Sequence, residues 1–258
     1  MDFSLVPIAD NKFLNFIYIG LASNGRTLIA LFNTRGNTMI KESVADSLDL
    51  DYIDHDYIDE KKNYKRAYLS DLLIGGLSLK KVPVLVAKDI VFDLGHDELG
   101  NTNDCDMVLG WNIISQFAWR GDFSLGKFEV QTSDFKDPIG KKTNQPIINI
   151  NFGDSIKKAA IDTSRPLTII SKSIADEIIE TNPGIKETIN LLGDAKDDIN
   201  YIPSFVFEND GKKVRIKSCQ IEKDLDGKDI EIVFGADLLR VTKWSIYGPM
   251  NYVRFENL

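Results

Sequence analysis

The chain repeats itself. Ile29-Ala-Leu-Phe-Asn33-Thr34, followed after a short loop by Ile40-Lys-Glu-Ser-Val-Ala45-Asp46-Ser-Leu48, returns as Ala159-Ala-Ile-Asp162-Thr163 followed by Ile170-Ser-Lys-Ser-Ile-Ala175-Asp176-Glu-Ile178. The loop of the first copy is one residue shorter. A second block behaves in the same way. Val108-Leu109-Gly110-Trp111-Asn112-Ile113-Ile114 matches Val233-Phe234-Gly235-Ala236-Asp237-Leu238-Leu239, and Trp119 and Trp244 each stand nine residues beyond their glycine. Two blocks recurring in one order imply a duplicated unit, and self-similarity of this kind sets the architecture before any local motif does. The 258 residues suit two lobes of roughly 110 to 130 residues, each able to bury a core. The polar stretch 132–145, carrying Pro138 and Gly140, reads as a linker. The predicted lobes are therefore 1–131 and 146–258.

Within each copy the pattern is mostly strand. Phe13–Gly20, Thr27–Phe32, Tyr64–Ile74 and Lys81–Ala87 are rich in β-branched or aromatic residues, with turns at Gly25 and Gly75-Gly76. In the second copy Ile147–Phe152, Ala159–Ile161, Tyr201–Glu208, Lys213–Ile221 and Asp229–Phe234 take the same parts, and Asn209-Asp210-Gly211 is a hairpin turn. Short helices are expected over Ile40–Leu48, Trp111–Phe117, Ser171–Glu180 and Ala236–Leu239, where apolar residues recur at three and four. The predicted fold class is all-β, two homologous β-barrel-like lobes with short helices and a cleft between them.

A net charge of −8 and a pI near 4.9 argue against nucleic-acid binding, which needs clustered Lys and Arg facing phosphates. No stretch approaches the roughly 18 apolar residues of a membrane span. The start, Met-Asp-Phe-Ser-Leu-Val-Pro, lacks the basic and apolar regions of a signal peptide. A cytoplasmic protein and a mature secreted or periplasmic form bearing an added Met both fit. Cys105 and Cys219 are isolated and read as buried structural thiols. His55 and His96 stand in polar stretches without partners for a Ser or Cys triad. The acidic run Phe92–Asp106 lacks the spacing of a calcium loop and reads as a solvated insertion.

The full constellation is an apolar strand, Asp-Thr-small, a loop, Ile and a short helix, then apolar-apolar-Gly, a short helix, Trp and a strand. It resembles the aspartic proteases, the two-lobed pepsin-like and retropepsin-like family, over almost the whole chain. That resemblance implies a bilobal acid-protease fold, an extended peptide or protein as substrate or ligand, no cofactor or metal, no nucleic-acid or membrane partner, and a monomer, since both lobes are on one chain. It places Asp162 at one catalytic position, with Ser164 where the family has Gly, and Asn33 at the position of the missing Asp, followed by Arg35 and Gly36. It gives Thr34 and Thr163 the role of linking the two loops by hydrogen bonds to backbone. It also sets Asp51–Arg66, with Tyr57 and Tyr64, where a flap covers the cleft, so that Arg35, Gly36, Ser164, Tyr57 and Tyr64 are cleft candidates.

The chemistry expected of the family needs a water held between two carboxyl groups, one ionised and one protonated, because like charges about 3 Å apart cannot both ionise. Asn33 can fill the volume of an Asp but cannot exchange a proton. The expected state is an inactive or impaired protease scaffold that binds peptide. Two alternatives stand beside it: an active protease with an unusual dyad, and an engineered Asp-to-Asn form. The shortened loop and Arg35 favour natural drift. For Arg35 itself two readings stay open: its guanidinium pairs with Asp162, or it points to solvent while Gly36 makes the tight turn.

Overall fold

The computed structural model describes residues 2–9, 16–54, 64–93, 95, 104–131, 143–182, 184–185 and 201–257. The first half contains β1 (Phe3–Leu5), β2 (Tyr18–Ser23), β3 (Arg26–Phe32), β4 (Met39–Lys41), α1 (Glu42–Leu48), β5 (Asp51–Tyr52), β6 (Tyr64–Ile74), β7 (Leu77–Ala87), β8 (Met107–Leu109), α2 (Trp111–Ile114), β9 (Ala118–Asp122) and β10 (Lys127–Gln131). The second contains β11 (Ile147–Phe152), β12 (Ser155–Ile161), β13 (Ile169–Ile170), α3 (Lys172–Thr181), β14 (Tyr201–Ile202), β15 (Phe205–Asn209), β16 (Lys212–Ile216), β17 (Cys219–Ile221), β18 (Ile232–Phe234), α4 (Ala236–Val241), β19 (Thr242–Tyr247) and β20 (Tyr252–Asn257). The chain is mostly β, as the strand-rich pattern predicts. Among the described residues no helix is long and apolar enough to cross a membrane.

Turn chemistry starts the pairing. Asn24 and Gly25 both take positive φ, 48° and 75°, between β2 and β3, and Asp210 and Gly211 do so at 50° and 73° between β15 and β16. A two-residue turn with both φ positive matches the right-handed twist of its strands and fixes register. Ser23 thus faces Arg26, and Asn209 faces Lys212.

The repeat is visible in the topology. One sheet runs β2-β3-β8-β4-β7-β6-β5, and its counterpart runs β11-β12-β18-β13-β17-β14, with β15 and β16 beyond β11. In each, a strand from the second block slots between two strands of the first. β8 is parallel to β3 and antiparallel to β4, and β18 is parallel to β12 and antiparallel to β13. The first sheet also curls back on itself, through Ala22 opposite Leu73, and the matching contact in the second, Asn151 opposite Glu208, joins β15 to the β11 edge.

A third sheet, β1-β10-β9-β19-β20, is built from both halves. β9 and β19 are antiparallel, and Arg120 faces Ser245, the residue that the repeat equates with it. An approximate two-fold axis therefore passes between these residues. Trp119 and Trp244 are buried on this sheet against Phe32 and Phe128. The ring of Phe32 lies 5.2 Å from that of Trp119 and 5.0 Å from that of Phe128, and Phe128 lies 5.4 Å from Trp244. Edge-to-face pairs at these separations add to the burial of large rings. Phe32 immediately precedes Asn33, so the cluster supports the first loop from below.

Several expected bounds move. The helix expected over Ile40–Leu48 begins as β4, and Ile40 faces Val86 and Met107. Ile40 is four residues before Val44, so a strand residue falls in step with the helical period and conceals the change. The helix expected to Phe117 ends at Ile114, and the strand expected over Lys213–Ile221 divides into β16 and β17. The strands of the third sheet were given no bounds by the sequence pattern. Residues 132–142 of the linker, Phe13, His55, His96 and most of the acidic run 92–106 lie outside the described residues. Cys105 and Cys219 are free and buried, and burial pushes the Cys105 thiol up to about 11.

Candidate functional site

Asn33 leaves the end of β3 and Asp162 leaves the end of β12. The N–H of Asn33 donates to Leu109 O and that of Asp162 to Phe234 O, both at 2.9 Å. Each loop is thus tied to the strand before its glycine. The glycines then lie directly under the loops: a Cβ on Gly110 would sit 2.3 Å from the Asn37 carbonyl carbon, and one on Gly235 would sit 2.5 Å from that of Leu167. Side chains cannot occupy such space, which accounts for a glycine at both places.

The support continues in matching pairs. Gly110 N donates to Thr38 Oγ1 at 3.0 Å, and Gly235 N to Thr168 Oγ1 at 3.2 Å. Thr38 Oγ1 donates to Asn112 Oδ1 at 2.8 Å, and Thr168 Oγ1 to Asp237 Oδ1 at 2.9 Å. The two halves do the same work with an amide and a carboxyl group. Burial raises the pKa of Asp237, and the hydrogen bonds from Thr168 oppose that rise.

The loops are locked to one another by reciprocal bonds. Thr34 Oγ1 donates to Ile161 O at 2.8 Å and accepts from Thr163 N at 3.1 Å. Thr163 Oγ1 donates to Phe32 O at 2.6 Å and accepts from Thr34 N at 3.0 Å. All four groups are buried, so the network is satisfied within itself. It holds Asn33 and Asp162 in equivalent positions about the two-fold axis.

At those positions local geometry agrees and chemistry differs. Asn33 Oδ1 accepts from Arg35 N at 2.9 Å, and Asp162 Oδ1 accepts from Ser164 N at 3.2 Å and from the Ser164 hydroxyl. Asp162 is 1% exposed, and its Oδ2 receives Arg35 Nη1 at 2.9 Å. Arg165 Nε approaches the same oxygen at 4.0 Å, while its Nη1 holds Glu222 at 3.0 Å. Both oxygens of this carboxylate thus face a donor or a cation. Gly36 meanwhile has φ +73° and makes the turn, but Arg35 is not left pointing to solvent as the second reading has it: its guanidinium pairs with Asp162, as in the first. The Gly36 N–H also donates to Asn144 O at 3.0 Å, tying the loop to the end of the linker.

A cavity of about 400 Å³ opens beside this pair, lined by Arg35, Gln145, Arg165 and Lys228 and by the aliphatic side chains of Ile169 and Val233 among others. No protein-family model matches the chain, and no curated protein matches it.

The loops thus bring together Asn33, Thr34, Arg35, Gly36, Asp162, Thr163 and Ser164. Tyr64, at the start of β6, packs on the cluster around Tyr18, Leu31 and Phe92, and Tyr57 lies outside the described residues. Sequence reasoning missed Thr38, Thr168, Asn112 and Asp237, although the repeat aligns the members of each pair. It also missed Arg165, which follows Asp162 by three residues, and Glu222, Gln145 and Lys228, which carry no local signal because folding alone brings them to one place.

Proposed function

We propose that this chain is a two-lobed scaffold of the aspartic-protease kind that binds an extended peptide and does not hydrolyse it. The observation that carries this reading is the ion pair of Arg35 with the buried Asp162, opposite Asn33. Hydrolysis by a carboxyl pair needs one member to take a proton from water and the other to donate one to the substrate carbonyl. Asn33 offers no such proton. The Arg35 guanidinium engages Asp162 Oδ2 at 2.9 Å, so a water approaching this carboxylate competes with a charge-assisted contact. The reciprocal threonine bonds and the glycine-backed loops keep the scaffold intact without the chemistry.

The test is cleavage of a broad peptide library between pH 3 and 7 by the unaltered chain, by Asn33→Asp/Arg35→Gly and by Asp162→Asn, with binding followed in parallel. The unaltered chain is expected to bind without cleaving, and the double variant to gain slow cleavage at acid pH. Cleavage by the unaltered chain that disappears in Asp162→Asn overturns the reading in favour of an active enzyme with an unusual dyad.

A further inference from the structure

The cavity beside Arg35 is cationic in a chain whose net charge is −8. Arg35, Arg165 and Lys228 line it, against one carboxylate, Asp229, which is already held by Lys158 at 2.7 Å. The three cations are not equally committed. Arg165 is placed between Glu222 and Asp162. Arg35 is 57% exposed and gives one N–H to Asp162, leaving most of its five donors for another acceptor. Lys228 is exposed and makes no ion pair among the described residues.

The rest of the lining is of a different kind. Ile169 and Val233 face one another across β13 and β18, and Leu225 joins them in an aliphatic wall. Gln145 adds an amide whose Oε1 is buried without a hydrogen-bond partner among the described residues. Cations at the rim, an aliphatic wall and an amide acceptor complement one class of ligand: a short peptide segment with an acidic side chain beside an aliphatic one.

We propose that this cavity is the specificity pocket of the peptide site and selects an acidic residue, whose carboxylate binds Arg35 and Lys228 while an aliphatic neighbour packs on Ile169, Val233 and Leu225. This assignment rests on the reading of the cleft as a peptide site. The volume, about 400 Å³, is ample for a Glu and a Leu side chain. Because the carboxylate competes with Asp162 for Arg35, binding and the resting ion pair are coupled.

Isothermal titration calorimetry of the full chain with three acetylated and amidated hexapeptides, identical apart from one central Glu, Gln or Lys in a Leu- and Ala-containing sequence, tests it. The Glu peptide is expected to bind about tenfold more tightly than the Gln peptide, the difference made by a charge-assisted contact, and the Lys peptide least tightly. The Glu preference is expected to collapse in Lys228→Glu and to shrink in about 0.5 M salt, where the screening length falls to roughly 4 Å. Equal binding of the three peptides overturns the pocket assignment and leaves the peptide site standing. A Glu preference unchanged in Lys228→Glu likewise removes the assignment from this cavity. Binding of none of the three overturns both.

Discussion

At the scale of residues, the best determined feature is the threonine pair. Thr34 Oγ1 is buried and serves two backbone groups of the opposite loop, Ile161 O and Thr163 N. Valine has the same shape but would leave both groups without a partner in a space closed to water. An unsatisfied buried group costs about 1–3 kcal/mol, so Thr34→Val is expected to lower stability by about 2–4 kcal/mol, and Thr34→Ser by much less because it keeps the hydroxyl. Urea midpoints measure this, and equal midpoints for Thr34→Val and the unaltered chain would show that the hydroxyl is not bonded in solution. Positions such as Thr34 and Thr163 were legible in the sequence because each stands beside its counterpart in a long repeat. Arg165, Glu222 and Lys228 were not. Arg165 follows Asp162 by three residues but belongs to no matched feature of the repeat, Glu222 stands 57 positions beyond Arg165, and only the pairing of β13 with β17 and β18 brings Glu222 and Lys228 towards that loop.

At the scale of elements, the two copies solve one problem with different side chains. The helix α2 presents Asn112 to Thr38, and α4 presents Asp237 to Thr168. A buried carboxylate pays for its position in lost hydration where a neutral amide does not. The raised pKa of Asp237 gives the sign. Its stability contribution is complete below the unfolded value, about 3.8, and is lost as pH rises through the folded value, because the folded protein must then hold the charge with little water. Asp237→Asn, which copies the arrangement at Asn112, is therefore expected to raise the urea midpoint at pH 8 and to leave it unchanged near pH 3. A midpoint that falls at pH 8 would mean that the hydrogen bonds to Thr168 and Leu238 need the charge and outweigh its desolvation. This pairing of elements was latent in the aligned blocks. The strand β4 was hidden for a physical reason, since its three residues share the spacing of the helix that follows and no turn residue marks the change.

At the scale of the whole molecule, the halves that the repeat defines are not independent bodies. The third sheet alternates neither by half nor by function: β1, β10 and β9 come from the first half, and β19 and β20 complete it from the second. Such a sheet is hard to read from sequence, because each half offers it a hairpin at the end of the repeat and the first adds only the three-residue β1 from far upstream, and the pairing that matters, β9 with β19, joins segments separated by most of the second copy. Its consequence is thermodynamic. Unfolding the second half alone would uncover the β9 edge, strip Trp244 from Phe128 and Phe32, and break all four threonine bonds. The Arg240 guanidinium, which donates to Phe16 O at 2.9 Å, would be lost with them. Two-lobed chains of this length commonly unfold through an intermediate with one lobe intact, but here that intermediate exposes a buried aromatic cluster and an unpaired strand edge together. Equilibrium urea unfolding followed by tryptophan fluorescence, which reports on Trp119 and Trp244 at the seam and on the buried Trp111 of α2, and by far-ultraviolet circular dichroism, which reports on all three sheets, is expected to give coincident single transitions; Trp111→Phe confines the fluorescence to the seam. A fluorescence change that precedes a second loss of strand signal would show that the seam opens first and that each half holds its own sheet without the other.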